Sequence, residues 1–214
     1  MIEKFYCFGD SISFGQHISV HNTWVSKLSN FLEIEFPEKN IILNNFSICG
    51  NTTEMALDRF GNDITRYSPH YVLVQFGLND CNFWLDGGGK PRVSLNDFYN
   101  NMGDILDKLI LNKVKIIYLC TFHPTNKGLI LIGGKKFQYD KIQKAYSNKI
   151  KDLFENYKKQ SQIILLDIEK YFKNKRNVNK KKLHLLDDGI HLSQYGHEAY
   201  FKFISPIVKK SLKY

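Results

Sequence analysis

Residues 5–15 of the 214-residue chain read FYCFGDSISFG, in which four apolar residues are followed by Gly9, Asp10 and Ser11. The apolar run has the length and aromatic content of a buried β-strand. Four further runs of this kind lie at residues 41–48, 71–76, 115–122 and 163–168. Short, continuous apolar strands are typical of a parallel sheet that is covered on both faces.

The segments between these runs have apolar residues at helical spacing. Asn22 is expected to cap one helix, and Ser94 with Asp97 forms a variant of the capping box at another. The four helices are expected at residues 24–32, 98–109, 139–157 and 195–212. Alternating strands and helices predict one α/β domain over residues 1–214, a three-layer, doubly wound (flavodoxin-like) sandwich with a five-stranded parallel sheet.

Composition narrows the class of protein. Hydrophobic residues make up 43% of the chain and charged residues 24%, which fits a globular protein and excludes a disordered or collagen-like one. No apolar run approaches the roughly 18 residues of a membrane helix, so no membrane span is expected. The N-terminus shows neither a basic segment nor a small-residue cleavage site, which favours a cytoplasmic location. The four cysteines lack C-x-x-C spacing and are expected to be buried free thiols.

The net charge of +9 is unevenly distributed. Residues 1–107 contain 7 Lys and Arg against 13 Asp and Glu, whereas residues 108–214 contain 23 against 8. Clustered lysines can attract anions, but we interpret them as solvated helix surfaces, and we expect no nucleic-acid partner. Residues 173–182 (KNKRNVNKKK) are expected to form a solvated loop, with an anion-binding patch as the alternative. The glycines at 87–89 and 133–134 predict flexible loops over the site.

Polar residues follow the predicted strands at the edge where doubly wound sheets bind ligands. Ser11 follows the first strand and can expose its hydroxyl. Gly50, after the second, lets a ligand approach a backbone N–H, and Asn79, after the third, presents an amide donor. Asp188 and His191 precede the last helix and are close enough in sequence to form a hydrogen-bonded pair. Each signal is weak alone, but together they supply a nucleophile, two donors and an acid/base pair.

These motifs resemble those of the SGNH hydrolases, also called GDSL-type esterases and lipases. The resemblance covers nearly the whole chain: Gly-Asp-Ser at 9–11, the glycine at 50, Gly-Leu-Asn-Asp at 77–80 and Asp-Gly-Ile-His at 188–191. It implies that Ser11 is the nucleophile, His191 the base and Asp188 its orienting carboxylate. It also implies an oxyanion hole formed by Ser11 N–H, Gly50 N–H and the Asn79 side chain.

One departure from the family pattern is Cys49, which stands where small or hydroxyl residues are usual. Buried packing is expected for this thiol, with a redox-sensitive role as the alternative. Among the histidines, His123 is a candidate to line the cleft, His17 is expected in a loop or on the surface, and His197 is expected to be structural. Neither metal-ligand spacing nor a nucleotide-binding motif is present, so no metal or cofactor is expected.

The predicted reaction is ester hydrolysis through an acyl-enzyme. An O-acyltransferase and a non-catalytic module that binds anionic glycans are the alternatives. Phe83 and Trp84, close to Asn79, predict an aromatic wall for a sugar or a small acyl group, so the expected substrate is a small-molecule or glycan ester, most plausibly acetylated. The apolar residues 129–132 suggest instead a groove for longer chains, as in a lipase or thioesterase. The oligomeric state is left open.

Overall fold

A five-stranded parallel sheet forms the centre of the fold. The computed structural model of the chain describes residues 2–84, 88–174 and 184–213. Its strands are β1 (Glu3–Gly9), β2 (Ile41–Asn45), β3 (Tyr71–Gln75), β4 (Ile116–Cys120), β5 (Leu129–Ile132), β6 (Lys135–Gln138) and β7 (Ile163–Leu166). The central sheet has the order β2-β1-β3-β4-β7, with every pair parallel. The predicted five-stranded parallel sheet is confirmed.

Helices cover both faces of this sheet. They are α1 (Ser11–Phe14), α2 (Trp24–Glu35), α3 (Thr53–Asp63), α4 (Leu95–Leu111), α5 (Tyr139–Tyr157), α6 (Ile168–Asn174) and α7 (Gln194–Leu212). The chain reverses direction across the sheet after β2, so right-handed crossovers place α2 on one face and α3, α4 and α5 on the other. In agreement, α2 packs against α7, while α4 packs against α3 and α5. The reversal opens a crevice beyond the carboxyl ends of β1 and β3, which is where the candidate site lies.

The core explains why the strands contain few polar residues. All five residues of β3 are buried, as are Phe5, Phe8 and Tyr118 in the neighbouring strands. Phe5 stacks on Tyr118 with ring centroids 5.6 Å apart. A parallel strand with helices on both faces has no side that meets water, so its sequence shows no polar alternation.

The four predicted helices are present as α2, α4, α5 and α7, whereas α1, α3 and α6 were not predicted. Ser94 caps α4, accepting a hydrogen bond from Asp97 N at 3.1 Å and donating one to Asp97 Oδ2 at 2.6 Å. The predicted cap Asn22 is wrong, because Asn22 ends a short 3₁₀ turn and the Thr23 hydroxyl accepts from Ser26 N instead. The second strand also ends earlier than predicted, at Asn45.

A β-hairpin, formed by β5 and β6, replaces one of the predicted flexible loops. Gly133 and Gly134 form its two-residue turn with φ of 54° and 76°. Two consecutive positive φ values are typical of a type I′ turn, so these glycines define a turn rather than a mobile loop. Gly87 and residues 175–182 of the basic stretch lie outside the described residues. No helix in the described part of the chain is long and apolar enough to cross a membrane.

Candidate active site

Ser11 lies at the carboxyl end of β1, which is next to the central strand β3. The strand ends at Gly9 and α1 begins at Ser11, with the Asp10 carboxylate accepting from Ile12 N at 3.0 Å as the N-cap. A Cβ at residue 9 would lie 2.8 Å from Ser13 Oγ and 2.9 Å from the Gln75 carbonyl oxygen, so only glycine fits the turn. This sharp strand-to-helix turn places Ser11 at the site edge of the sheet.

Ser11, His191 and Asp188 form a continuous chain of hydrogen bonds. His191 Nε2 lies 3.0 Å from Ser11 Oγ, and His191 Nδ1 lies 2.5 Å from Asp188 Oδ2. Asp188 Oδ1 also accepts from the backbone N–H groups of Ile190 and His191, at 2.8 and 2.9 Å. The structure therefore brings together three residues that are up to 180 positions apart in the chain.

The charge on Asp188 determines which ring nitrogen of His191 carries a hydrogen. Partial burial raises the pKa of Asp188, but hydrogen bonds from the His191 ring and from the two backbone N–H groups outweigh it and lower the pKa to about 2. The carboxylate is thus ionised at neutral pH and only accepts hydrogen bonds. His191 Nδ1 must then carry a hydrogen, which leaves Nε2 of the neutral ring to accept from the Ser11 hydroxyl.

His123 does not line the cleft, contrary to the sequence prediction. Its side chain is completely buried, and its Nε2 donates to the Ile190 carbonyl oxygen at 2.7 Å. Burial lowers the pKa of His123 to about 4, so the ring is neutral. Through this hydrogen bond, His123 supports the segment that carries Asp188 and His191. Its residue type alone gave no sign that it would be buried.

Gly50 and Asn79 lie next to each other at the same edge of the sheet. Gly50 has a φ of 80°, and its N–H finds no acceptor among the described residues. The Asn79 side chain donates to the Asn51 carbonyl oxygen at 3.1 Å, which joins the two loops. The Ile48 N–H donates to the Gly9 carbonyl oxygen at 3.1 Å, and this hydrogen bond attaches the start of the Gly50 loop to the end of β1.

Two arginines that the sequence analysis missed hold the Gly50 loop from either side. Arg92 donates to the Gly50 carbonyl oxygen at 3.0 Å and to Asn79 Oδ1 at 3.4 Å. Arg59 donates to Asn51 Oδ1 at 2.7 Å and to the Gly9 carbonyl oxygen at 3.3 Å. Neither arginine belongs to one of the motifs, and their contacts span 8 to 50 positions.

A pocket of about 280 Å³ lies beside the triad. Phe83 and Trp84 contribute to its lining, and so do residues 130–133 of the hairpin. Ile190, next to His191, also lines it. The full lining is Asn82, Phe83, Trp84, Lys127, Ile130, Leu131, Ile132, Gly133, Tyr139 and Ile190. The Trp84 ring stacks on the Arg92 guanidinium, with 4.1 Å from Cζ to the ring centroid.

The thiols correspond only partly to the sequence prediction. Cys7, Cys81 and Cys120 are buried free cysteines, but Cys49 is exposed, so the prediction of buried packing at this position is wrong. Local desolvation and the charge of Asp10 raise the pKa of Cys49. A raised pKa disfavours the reactive thiolate, which argues against a redox role for this residue.

Comparison with known proteins places this geometry in a family. The sequence model of the GDSL-like lipase/acylhydrolase family matches residues 5–204. The uncharacterised lipoprotein YqeF of Bacillus subtilis is 28% identical over 187 residues, covering 79% of this chain and 72% of the relative. An arylesterase of Vibrio mimicus is 23% identical over 210 residues, covering 98% of this chain and 90% of the relative.

Solved structures show the same fold. A mutant of Axe2, an acetyl-xylooligosaccharide esterase from Geobacillus, superposes with a TM-score of 0.75 at 21% identity, covering 94% of this chain and 92% of that one. LAE5, an α/β hydrolase from the metagenome of Lake Arreo, gives the same TM-score and identity, covering 94% of this chain and 93% of that one. The match of the family model across nearly the whole chain shows that this protein belongs to the GDSL-like lipase/acylhydrolase family and is a carboxylic ester hydrolase.

Proposed function

We propose that the enzyme hydrolyses esters through a catalytic triad of Ser11, His191 and Asp188. The observation that carries the proposal is the chain of hydrogen bonds from Ser11 Oγ through both ring nitrogens of His191 to the ionised Asp188. Geometry of this kind allows one imidazole to move a proton between nucleophile, leaving group and water. Membership of a hydrolase family supports the same reaction.

The reaction proceeds in two stages. In the first, His191 Nε2 takes the Ser11 proton as Oγ attacks the ester carbonyl, and His191 then gives the proton to the departing alcohol. In the second, His191 takes a proton from water, the resulting hydroxide attacks the acyl-enzyme, and the proton returns to Ser11 as the acid leaves. Asp188 keeps the proton on Nδ1 throughout and stabilises the imidazolium.

Negative charge that develops on the carbonyl oxygen requires hydrogen-bond donors. The Ser11 N–H, the Gly50 N–H and the Asn79 amide are assigned to this oxyanion hole. The free Gly50 N–H and the position of Asn79 beside it support this assignment. Arg92 acts as a positioning residue, because its guanidinium orients the Asn79 amide and anchors the peptide that follows Gly50.

The first candidate substrate is a short acyl ester, specifically an acetyl ester, of a sugar-containing molecule. Trp84 is about half exposed and presents an aromatic ring next to the pocket, which suits the apolar face of a sugar. The similarity of the fold to that of an acetyl-xylooligosaccharide esterase is consistent with this choice.

A second candidate is an ester with a longer acyl chain or an aryl group. Ile130, Ile132 and Tyr139 line the pocket and favour this candidate, because a longer apolar group buries more apolar surface against them than an acetyl group does. A relative described as an arylesterase agrees with this alternative. The cytoplasmic location predicted from the sequence remains a prediction.

A substrate series tests both the chemistry and the choice of ester. Initial rates are measured on p-nitrophenyl acetate, butyrate and octanoate and on acetylated xylooligosaccharides. Ser11→Ala is expected to abolish turnover, whereas Ser19→Ala, a change at an exposed serine nearby, keeps wild-type rates. Higher kcat/KM on acetate and on acetylated sugars supports the first candidate. Preference for octanoate with no sugar deacetylation supports the second, and full activity in Ser11→Ala contradicts the triad.

A further inference from the structure

His17 lies against the triad although its sequence position suggested only a loop or surface residue. Its ring centroid is 5.4 Å from that of His191, with the two planes at 89°. The side chain is exposed, and the backbone has a φ of 68°. Histidine adopts this left-handed conformation only occasionally, because its Cβ approaches the backbone. The fold therefore holds a second imidazole beside the catalytic one.

Three metal-binding side chains converge at this point. One donor atom from each of His17, Asp188 and His191 lies within 4.8 Å of the other two. Two imidazoles and a carboxylate are a common ligand set for Zn²⁺, which binds them at about 2.0–2.2 Å. Donor atoms around a tetrahedral ion of that size are about 3.4 Å apart. No two of these donor atoms therefore have to approach each other by more than about 1.4 Å.

The site is open enough for an ion to enter and for the side chains to close on it. The Asp188 side chain is 37% exposed and that of His191 17% exposed, and His17 is exposed as well. Side chains with free surface change rotamer without disturbing a packed core. The required closure is thus a local adjustment.

We propose that His17, Asp188 and His191 form a binding site for a divalent transition-metal ion such as Zn²⁺, and that the ion reversibly inhibits the enzyme. The inhibitory part rests on the proposed role of His191 as the base. A ring nitrogen that binds zinc cannot at the same time accept the Ser11 proton or donate to Asp188. Occupancy of the site therefore interrupts the triad without any change in the oxyanion hole.

The ligand set also predicts which ions act. Imidazole ligands select Zn²⁺, Cu²⁺ and related ions over Mg²⁺ and Ca²⁺, which prefer several oxygen ligands. Asp188 and His191 alone provide only two ligands, so the third ligand, His17, is what distinguishes this site from an ordinary catalytic pair. Magnesium is expected to leave the activity unchanged.

The first test measures inhibition by ZnCl₂ and by MgCl₂ with p-nitrophenyl acetate as substrate. His17→Asn is the main variant, because asparagine tolerates the left-handed backbone of residue 17. His21→Ala, at an exposed histidine outside the cluster, is the matched control. We expect zinc inhibition that EDTA reverses in the wild type and in His21→Ala. In His17→Asn the uninhibited rate is retained, and the zinc concentration for half inhibition rises by about tenfold or more.

A second test does not depend on activity. Isothermal titration of ZnCl₂ into the Ser11→Ala protein is expected to show one site, weakened at least about tenfold when His17→Asn is added. This measurement stands even if Ser11 is not the nucleophile, so failure of the triad and failure of the metal site are distinguishable. Equal zinc affinity with and without His17, or no binding to the Ser11→Ala protein, would overturn the proposal.

Discussion

The Arg92 guanidinium donates a hydrogen bond to the Gly50 carbonyl oxygen at 3.0 Å, across 42 positions of the chain. The same group reaches Asn79 Oδ1 at 3.4 Å. One rigid, planar cation thus contacts both loops assigned to the oxyanion hole. A point charge such as lysine cannot reproduce two directed hydrogen bonds from one planar group.

Arg92→Met is expected to lower kcat by about 10- to 100-fold with little change in KM, because the donors lose their alignment in the transition state while ground-state binding persists. Arg92→Lys is expected to recover only part of the loss. Steady-state kinetics on p-nitrophenyl acetate measures both constants. Arg66→Met, at an exposed arginine outside the site, serves as the control for loss of a cation. A change confined to KM would show that Arg92 binds substrate instead.

Asn79→Ala is expected to lower kcat by about 10² to 10³, the usual effect of deleting one oxyanion donor. The residue is partly buried in a turn and does not belong to the hydrophobic core, so the melting temperature should change little. Kinetics and thermal unfolding are measured on the same preparation. An unchanged kcat would remove Asn79 from the oxyanion hole.

Ser11 is expected to form a stable covalent adduct with an organophosphonate ester, because the neighbouring imidazole activates its hydroxyl. Peptide mass spectrometry of the inhibited protein should locate the added mass on Ser11. His191→Ala should react much more slowly, and Ser11→Ala not at all. An adduct on another serine in fully inhibited enzyme is the result that contradicts the triad.

Stability is expected to fall as the pH rises from about 4 to about 7, because of Asp10. Burial raises the pKa of this carboxyl to about 7, and the charge of Asp80 acts in the same direction against opposing hydrogen bonds from Ile12 and Gln75. Over that pH interval the folded state holds a proton that the unfolded state, with its ordinary pKa near 3.9, has released. The folded form is therefore favoured at the acid end, and this contribution is lost as the pH passes the folded-state pKa.

Thermal unfolding of Asp10→Asn across the same pH range measures this effect. The variant lacks the titrating group, so its melting temperature should depend less on pH than that of the wild type. Asp58→Asn, at an exposed carboxyl, provides the comparison and should keep the wild-type slope. Parallel curves for wild type and Asp10→Asn would show that another group is responsible.

The sequence was sufficient for the central sheet because each strand has its own local signal. Residues 71–76 are apolar except for Gln75, and the structure buries all five residues of β3. The same holds for the positions of Ser11 and Asn79, since residues that follow parallel strands meet at one edge. In these segments the local sequence pattern agrees with the tertiary position, so the pattern is enough to predict that position.

Other features depend on contacts that no local pattern contains. The strands β5 and β6 have only four residues each, and β6 begins with two lysines, so the two glycines between them suggested mobility. Arg92 and His17 acquire their surroundings only when distant loops meet. His123 shows the opposite case, because its residue type suggested chemistry while the fold buries it completely.

The hairpin and Trp84, which both line the pocket, differ in how much their sequence can change without disturbing the candidate catalytic residues. The hairpin forms a two-stranded sheet of its own, separate from the sheet that places Ser11, so its length and side chains can change without moving the nucleophile. Trp84, which also lines the pocket, is stacked on Arg92 and is thereby linked to the oxyanion loops. Diversification of substrate preference within such a scaffold is therefore expected to accumulate in the hairpin, whereas changes at residue 84 alter selectivity and turnover together.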